Sequence, residues 1–451
     1  MCHSPSSTFP SPPRLRNRTR YHPEGAPLRA ERLKDPLAPE TPWALTRNRV
    51  SRRIIQRMRK TPPASATSTR RLGAMPEFAL ERFFDRFEFY LPYQLGSSDP
   101  ETLAVSELLE HADPEMRRRW ETLHLGYRTC AGDPDLRAAI AATCRGRTAE
   151  HAVVAIGGAE ALLVTFAAAI EPGDRAVALT PAYQSLHDVP RAMGARLELV
   201  EIREDGPGGA WRFPMDRLMG ALTPGVRLLV LNVPHNPTGV AATPEELRAI
   251  VARCEQLGIR VVGDEVYRGL EWTGATPPSV TECSDRAVTV GVTSKVYGLA
   301  GLRIGWLVCG DAAFRRRAVA IKDYTTLCAA GPSEVLATIA LRAHEALRER
   351  TRARCLANLT VLEAFATAHP DLLVWRRPAA TTVSIAAVAA PMLARHGGDP
   401  ERVLAHWRER AGVLVVPGPL FGCAPDRFRL GFGRADLPQA LAALSAANST
   451  V

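Results

Sequence analysis

The sequence contains no hydrophobic run that would cross a membrane and no grouping of cysteine or histidine that would hold a metal. No stretch reaches the roughly 18 consecutive apolar residues that a transmembrane helix requires. The nine cysteines are scattered, without a CxxC pair and without the Cys and His spacing of a zinc site. The first residues also lack the apolar segment of a secretory signal. We therefore expect a cytoplasmic protein with reduced thiols, no metal and no membrane partner.

The net charge of +10 is concentrated in the N-terminal part of the chain. Residues 1–74 hold 16 Lys and Arg against 4 Asp and Glu, whereas the remaining residues hold 41 and 43. The body of the protein is therefore nearly neutral. Because nucleic-acid binding by a whole protein requires a broad positive surface, we predict no nucleic-acid partner.

Residues 1–74 are rich in Pro, Arg, Ser and Thr, which predicts a disordered basic extension. One stretch among basic residues places four apolar side chains on a single helical face: Val50, Ile54, Ile55 and Met58. A short basic amphipathic helix of this kind could touch a membrane surface or nucleic acid. The alternative is that the extension is not native and that Met75 is the functional start.

From Phe78 onward, β-rich runs alternate with helical patterns. The runs predict strands at residues 153–157, 175–179, 196–200, 227–233, 259–263, 287–292 and 304–309. A helix is predicted from residue 160 to 170. Another is predicted to start at Pro244, with Thr243 and Glu246 as a capping box, and to end at Gly258. This alternation predicts an α/β fold with a largely parallel sheet covered on both faces, which binds ligands beyond the carboxyl ends of its strands.

One of these strands is followed by Thr293-Ser294-Lys295 and then by a string of glycines with Arg303 among them. A lysine in a loop of small residues just past a buried strand can be desolvated, which lowers its pKa and makes its amine a nucleophile. Arg303 could bind a phosphate with two parallel hydrogen bonds. The whole string reads Ser-Lys-x-x-Gly-Leu-x-Gly-x-Arg-x-Gly-Trp.

Two further strings end neighbouring strands: Asn-Val-Pro-His-Asn-Pro-Thr-Gly at 232–239 and Asp-Glu-Val-Tyr at 264–267. Together with the lysine string they resemble class I/II aminotransferases, which are pyridoxal 5′-phosphate enzymes of fold type I. The resemblance covers roughly residues 90–445. It implies a large domain with a mostly parallel seven-stranded sheet between helices and a smaller α+β domain. We assign 75–115 to an N-terminal arm and part of the small domain, 116–325 to the large domain and 326–451 to the small C-terminal domain.

The resemblance implies a role for each residue of these strings. Lys295 would hold pyridoxal 5′-phosphate as a Schiff base, and Asp264 would pair with the protonated ring nitrogen. Asn236 and Tyr267 would hydrogen-bond the 3′-oxygen of the ring, and the bond between Asn236 and Pro237 would be cis. His235 is an alternative general base, although the family uses the lysine.

The resemblance extends to both sides of these motifs. Gly158, Ala159 and Glu160 lie between a strand and a helix start, where free N–H groups favour phosphate, and Tyr183 matches the aromatic residue that stacks on the ring. Tyr127 matches a tyrosine that reaches the phosphate of the neighbouring subunit, which implies a homodimer.

Substrate binding is assigned to two further positions. Arg429, in Phe-Arg-Leu-Gly-Phe, matches the arginine that binds the substrate α-carboxylate. Leu95-Gly96 would supply backbone that closes over the substrate. We also expect loops near Tyr93, Gln94, Glu160 and Tyr324 to line the pocket of the substrate side chain.

One position departs from the family pattern. Members often carry a phosphate-binding serine three residues before the lysine, and this chain has Val292 there. Either Thr293 or Ser294 must then bind the phosphate, and we expect Ser294.

The expected reaction is transfer of an amino group from an L-amino acid to a 2-oxo acid. The alternative is a cyclase or lyase, because residues 126–128, 181–186 and 322–326 are similar to the capreomycidine-synthase-like branch, which acts on arginine derivatives. A transcription regulator with an aminotransferase-like domain is a third possibility. It is disfavoured because residues 1–74 lack the amphipathic helices of a DNA-binding domain.

Overall fold

The computed structural model describes residues 75–205 and 209–448. The predicted disordered extension and its basic amphipathic stretch lie outside these residues. The strands of the described residues are β1 (Ala152–Ile156), β2 (Arg175–Thr180), β3 (Arg196–Glu201), β4 (Arg203–Glu204), β5 (Trp211–Arg212), β6 (Val226–Asn232), β7 (Arg260–Asp264), β8 (Val288–Val292), β9 (Ile304–Cys309), β10 (Leu373–Val374), β11 (Val383–Val388), β12 (Val416–Pro417) and β13 (Arg427–Gly431).

Helices connect and cover these strands. The α-helices are α1 (Ala79–Phe87), α2 (Val105–Leu109), α3 (Pro114–Glu121), α4 (Pro134–Ala142), α5 (Gly157–Ala169), α6 (Ser185–Ala192), α7 (Met215–Ala221), α8 (Pro244–Leu257), α9 (Val280–Cys283), α10 (Ala312–Lys322), α11 (Gly331–Arg342), α12 (His344–Ala368), α13 (Ala390–Arg395), α14 (Pro400–His406) and α15 (Leu437–Asn448). Single turns of 3₁₀ helix cover Ala149–His151, Ala300–Leu302 and Gly418–Phe421, and a π-helical turn covers Trp407–Ala411.

Seven strands form one sheet in the order β1-β9-β8-β7-β6-β2-β3. The pairs β3/β2, β2/β6, β6/β7 and β7/β8 are parallel, whereas β9 runs antiparallel to both of its neighbours. The predicted mostly parallel seven-stranded sheet is therefore confirmed, and each predicted strand is present within one or two residues of its expected bounds.

Apart from the largely exposed edge strand β3, the sheet is buried on both faces, as its apolar runs predict. Along β2, Ala176 and Ala178 belong to one hydrophobic cluster, whereas Val177 and Leu179 belong to the cluster on the opposite face. The side chains of β6 alternate between the same two clusters. Since successive side chains of a strand point to opposite faces, near-continuous apolar strands require helices on both sides.

Helix boundaries were predicted with mixed success. The start and end of α8 are confirmed: the Thr243 hydroxyl accepts from the Glu246 amide at 3.1 Å, the Glu246 carboxylate accepts from the Thr243 amide at 2.7 Å, and Gly258 ends the helix with φ +67°. The prediction that a helix starts at residue 160 was wrong. Helix α5 begins at Gly157, because that glycine adopts φ +70° and turns the chain directly from β1 into the helix.

A second, antiparallel sheet has the order β10-β11-β13-β12. Arg429 lies on β13, opposite Ile385 of β11 and Val416 of β12.

No helix of the described residues combines the length and apolar character needed to cross a membrane. The domain boundaries at 116 and 326 stay a prediction.

Candidate active site

The polar ends of the parallel strands meet at one edge of the seven-stranded sheet. Gly157 follows β1, Asp264 ends β7, and Lys295 lies three residues past the end of β8. Arg303 comes before β9. Because β9 runs antiparallel to its neighbours, with Ile304 opposite Ile156, its first residues lie at the same edge. This arrangement explains how motifs far apart in the sequence form one site.

A cavity at this edge brings together ten of the thirteen residues predicted for the site. The ten are Gly158, Ala159, Tyr183, Asn236, Asp264, Tyr267, Ser294, Lys295, Arg303 and Arg429. Glu160, Tyr127 and Gly96 do not line it.

Lys295 is held by a serine that the sequence did not identify. Its Nζ donates to Ser98 Oγ at 2.7 Å. Burial lowers the pKa of the Lys295 ammonium, while the negative charge of Asp99 acts in the opposite direction. An amine with a lowered pKa is more often neutral, and the neutral form is the nucleophile.

Asp264 is a buried carboxylate that receives few hydrogen bonds from the protein. Its side chain is 5 % exposed, and its Oδ1 accepts one hydrogen bond, from the Val266 amide at 3.3 Å. Burial raises its pKa to about 7. A carboxylate in this state is suited to a cationic group bound in the cavity, because a nearby positive charge would restore its ionised form.

Arg429 is a buried cation without an anionic partner among residues 75–205 and 209–448. It is 1 % exposed, and its two terminal nitrogens donate to Asn236 Oδ1 at 3.2 Å and to the carbonyl of Gly96 at 2.8 Å. Its Nε has no hydrogen-bond partner in the described structure. The ring of Phe421 lies 4.8 Å from the guanidinium carbon. An uncompensated buried guanidinium next to a cavity is suited to a ligand carboxylate.

Two tyrosines, Tyr183 and Tyr267, also line the cavity. Burial raises the pKa of Tyr267 to about 12, and burial also raises the pKa of Tyr183, whose hydroxyl donates to Glu81 at 3.2 Å.

His235 does not line the cavity and is fully buried. Its Nδ1 lies 2.8 Å from Thr238 Oγ1, and burial lowers its pKa to about 3. His235 is therefore neutral at physiological pH. The bond between Asn236 and Pro237 is cis, as expected.

The part of the cavity next to the start of α5 has the properties of a phosphate site. Helix α5 starts there, Ile156 at its N-cap offers no side-chain acceptor, and the first amides of a helix have no partner within it. A Cβ on Gly157 would lie 2.6 Å from Arg303 Nη2, and a Cβ on Gly305 would lie 2.4 Å from the backbone of Gly157. Only glycines allow the strand, the helix start and Arg303 to approach this closely.

The choice between Thr293 and Ser294 is clearer in the structure. The Thr293 hydroxyl is fully buried and lies 3.2 Å from the carbonyls of both Leu299 and Ile304. Ser294 lines the cavity, and no described residue hydrogen-bonds to its hydroxyl. Ser294 is therefore the residue available to an anion.

Three predicted site residues lie outside the cavity. The carboxylate of Glu160 accepts from the amide of Ile156 and from the hydroxyl of Thr326 at 2.6 Å, so its side chain holds a neighbouring loop. Gly96 reaches the site through its carbonyl on Arg429. Tyr127 is 91 % exposed on the surface of the chain.

The structure adds residues that sequence reasoning did not identify, chiefly Ser98 and, from α1, Glu81 and Phe84. Helical spacing of the apolar residues between 80 and 87 was a usable signal for α1, but nothing in the sequence directs that helix to the cavity. The expectation that loops near Tyr93, Gln94 and Tyr324 line the pocket of the substrate side chain stays a prediction. None of these three residues lines the cavity, and Tyr324 is 93 % exposed.

Comparisons with known proteins identify the family and agree with the fold. Residues 93–444 match the family model for aminotransferase class I and II. Capreomycidine synthase from Streptomyces vinaceus is 32% identical over 382 residues, which cover 82% of this chain and 94% of the relative. A PLP-dependent aminotransferase from Streptococcus suis superimposes with a TM-score of 0.75 at 28% identity, covering 83% of this chain and 98% of that structure. A PLP-dependent cyclase, OrfR, has a TM-score of 0.74 at 29% identity, covering 85% and 98%.

Proposed function

Because the chain belongs to the class I and II aminotransferases, whose cofactor is pyridoxal 5′-phosphate (PLP), we propose that it transfers an amino group from an L-amino acid to a 2-oxo acid. The observation that carries the proposal is the arrangement of Lys295, Asp264 and Arg429 around one cavity. They offer an amine with a lowered pKa for the aldehyde carbon, a buried carboxylate for the ring nitrogen and an uncompensated guanidinium for the substrate carboxylate.

In this proposal the phosphate of the cofactor is held at the start of α5. The amides of Gly158 and Ala159 donate to it, assisted by the helix dipole. Ser294 adds a hydroxyl and Arg303 adds a charge. Glu160 contributes through its backbone and by fixing the loop at Thr326 rather than through direct side-chain contact.

The ring is held by side chains from neighbouring strands. Tyr183 would stack on the ring, and Asp264 would pair with the ring nitrogen. Two groups would donate hydrogen bonds to the 3′-oxygen of the ring: the Asn236 side-chain nitrogen and the Tyr267 hydroxyl. No described residue provides an acceptor for the Asn236 nitrogen. The cis bond after Asn236 belongs to the turn that presents this amide.

When bound, PLP supplies an electron-accepting ring that stabilises negative charge at the substrate Cα. Arg429 binds the α-carboxylate through two N–H groups and so orients the Cα–H bond. Lys295 Nζ would take the proton from Cα as a general base and hold it on its nitrogen. Ser98, whose Oγ lies 2.7 Å from this nitrogen, would hold the amine in place.

We further propose that the enzyme is a homodimer in which Tyr127 donates to the phosphate in the partner subunit. The support is its 91 % exposure beside a second exposed apolar residue, Leu125, at 84 %. Mixing subunits tests this directly. Tyr127→Ala and Lys295→Ala homodimers should each be impaired, whereas their heterodimer contains one intact site and should regain activity. No recovery on mixing would exclude a contribution in trans.

The runner-up is a cyclase or lyase acting on an arginine-derived amino acid, and capreomycidine synthase and the OrfR cyclase favour it. The same groups bind the cofactor and move the Cα proton in both reactions. The purified holoenzyme should therefore be screened with single L-amino acids by absorbance, followed by mass spectrometry of the products. A 2-oxo acid supports transamination. A cyclic amino acid or released ammonia supports the runner-up and contradicts the first proposal.

Two further assignments complete the proposal. The domain division at residues 116 and 326 is supported because all strands of the seven-stranded sheet fall between these positions and all strands of the four-stranded sheet follow them. A cytoplasmic location is supported by the free thiols of the eight cysteines in the described residues.

Deletion of residues 1–74 should leave catalysis intact. Loss of a DNA-binding activity on that deletion would instead favour a regulator.

A further inference from the structure

Helix α1 turns an apolar face toward the cavity, with one acidic exception. Leu80 is buried and packs with Val416 and Phe421, and Phe84 lines the cavity. On the outer face Arg82 and Asp85 are exposed and pair with each other at 2.7 Å. Glu81 is the charged residue of this helix that lines the cavity, where it is half-buried.

The Glu81 carboxylate has one hydrogen-bond partner among the described residues. The hydroxyl of Tyr183 donates to its Oε1 at 3.2 Å. No lysine or arginine of the described chain forms an ion pair with it, and its carboxylate does not cap the start of α1. Its charge nevertheless acts on the cavity: burial lowers the pKa values of Lys295 and Arg429, and the negative charge of Glu81 partly opposes that lowering at both residues.

Glu81 is the carboxylate left over when the charged side chains of the cavity are matched to the proposed function. Arg303 is assigned to the phosphate, Asp264 to the ring nitrogen, Arg429 to the α-carboxylate and Lys295 to the aldehyde carbon and the Cα proton. Glu81 has no counterpart in that set. A partly desolvated carboxylate without a counter-charge is costly, and a cation supplied by the ligand would remove the cost.

We propose that Glu81 is a specificity-determining residue that selects amino acids with a positively charged side chain, a guanidinium or an ammonium group. The proposal rests on the proposed function, since it is Arg429 that fixes the end of the substrate opposite its side chain. Glu81 would then favour the cation by a charge-assisted hydrogen bond. It would disfavour neutral side chains, which leave its carboxylate without a counter-charge in the cavity. Phe84, one turn further along α1, offers an aromatic ring beside the same cation.

The competing explanation is that Glu81 only positions Tyr183. The variant Glu81→Gln separates the two roles, because the amide oxygen still accepts from the Tyr183 hydroxyl while the negative charge is lost. The exposed Asp85→Asn change on the same helix is the matched control, since it removes one negative charge outside the cavity.

The experiment measures dissociation constants of the holoenzyme for L-arginine and L-citrulline, which differ by a charged guanidinium against a neutral urea group of similar shape. L-lysine and L-norleucine form a second pair. Binding is followed by the change in cofactor absorbance and by calorimetry. A hydrogen bond to a charged group predicts that wild type and Asp85→Asn bind the cationic member of each pair roughly 10- to 100-fold more tightly. Glu81→Gln should reduce that ratio to below about threefold, the size of an ordinary exposed charge effect.

Three results would overturn the inference. The first is a wild-type enzyme that does not prefer the cationic member of either pair, a measurement that does not depend on folding of any variant. The second is a Glu81→Gln enzyme with the wild-type ratio. The third is an equal loss of affinity for both members of a pair, which would assign Glu81 to Tyr183 alone. Binding of neutral amino acids with normal turnover in any of these cases leaves the proposed function standing. A protein that holds no cofactor overturns the function itself.

Discussion

Replacing Arg429 by lysine keeps the positive charge in the cavity but removes the planar pair of donors. Arg429 lies on β13, is 1 % exposed and donates to Asn236 and to the carbonyl of Gly96, while its Nε remains without a partner in the described structure. Lysine has a single terminal nitrogen. It cannot keep these two hydrogen bonds and bind a carboxylate bidentately.

The magnitude follows from the number of hydrogen bonds lost. Arg429→Lys removes one hydrogen bond to a charged carboxylate, which contributes about 1.5–3 kcal/mol. At about 1.4 kcal/mol for each factor of ten, the dissociation constant for an amino acid should rise roughly 10- to 100-fold. The affinity for PLP should change little, because the proposed phosphate site is formed by Arg303 and the start of α5 and not by β13.

The assay compares an amino acid with the primary amine that lacks its carboxylate. Both are titrated into wild-type and Arg429→Lys holoenzyme while the cofactor absorbance is recorded. The amino acid should lose its advantage over the amine in the variant, and the affinity for the amine should stay close to the wild-type value. If the affinity for the amine falls as much as the affinity for the amino acid, Arg429 does not bind the carboxylate, and the assignment is wrong.

Three other substitutions test separate parts of the site. Asp264→Asn should slow turnover by about two to three orders of magnitude, since removing one partner of a buried ion pair costs about 3–5 kcal/mol. Without cofactor the same variant should melt at a higher temperature than wild type at pH 8 but not at pH 4. The folded-state pKa of Asp264 is raised from 3.8 to about 7, so the wild-type apoprotein loses stability as the pH rises through that window. Ser294→Ala should weaken PLP binding by about tenfold or more, the value of one hydrogen bond to a charged group, and unchanged PLP affinity would exclude Ser294 as a phosphate ligand. Gly305→Ala should destabilise the protein by about 1–3 kcal/mol and weaken PLP binding, because its Cβ would lie 2.4 Å from the backbone of Gly157. Gly220→Ala, with open space around the added methyl and a helical position, should be neutral or slightly stabilising in the same denaturation experiment.

Much of the fold and of the cofactor end of the site could be predicted because the relevant signals are local. A buried strand, a turn of small residues and a capped helix are each specified by neighbouring residues, as Thr243, Glu246 and Gly258 show for α8. The parallel arrangement then places Asp264 and Lys295 at the same edge without further information.

The positions of Glu81 and Ser98 in the cavity could not be predicted, for an equally physical reason. Glu81 reaches the cavity through the packing of Leu80 on Val416, which lies more than 300 positions further along the chain. The same holds for Ser98, whose hydroxyl meets the Lys295 amine through a contact across 197 positions. Contacts of this kind depend on how separate elements pack, and no local pattern specifies them.

The assignment of Lys295 is the claim on which the whole account depends, and the composition of the chain makes it easy to test. The sequence contains four lysines: Lys34, Lys60, Lys295 and Lys322. Lys322 is 1 % exposed and donates to the carbonyls of Cys130 and Leu327.

The decisive measurement is borohydride reduction of the holoenzyme, followed by proteolysis and mass spectrometry of the lysine-containing peptides. The account predicts a phosphopyridoxyl group on the peptide that carries Lys295, and loss of that label in Lys295→Ala. A label on Lys322 or on either N-terminal lysine, with Lys295 unmodified, would contradict it.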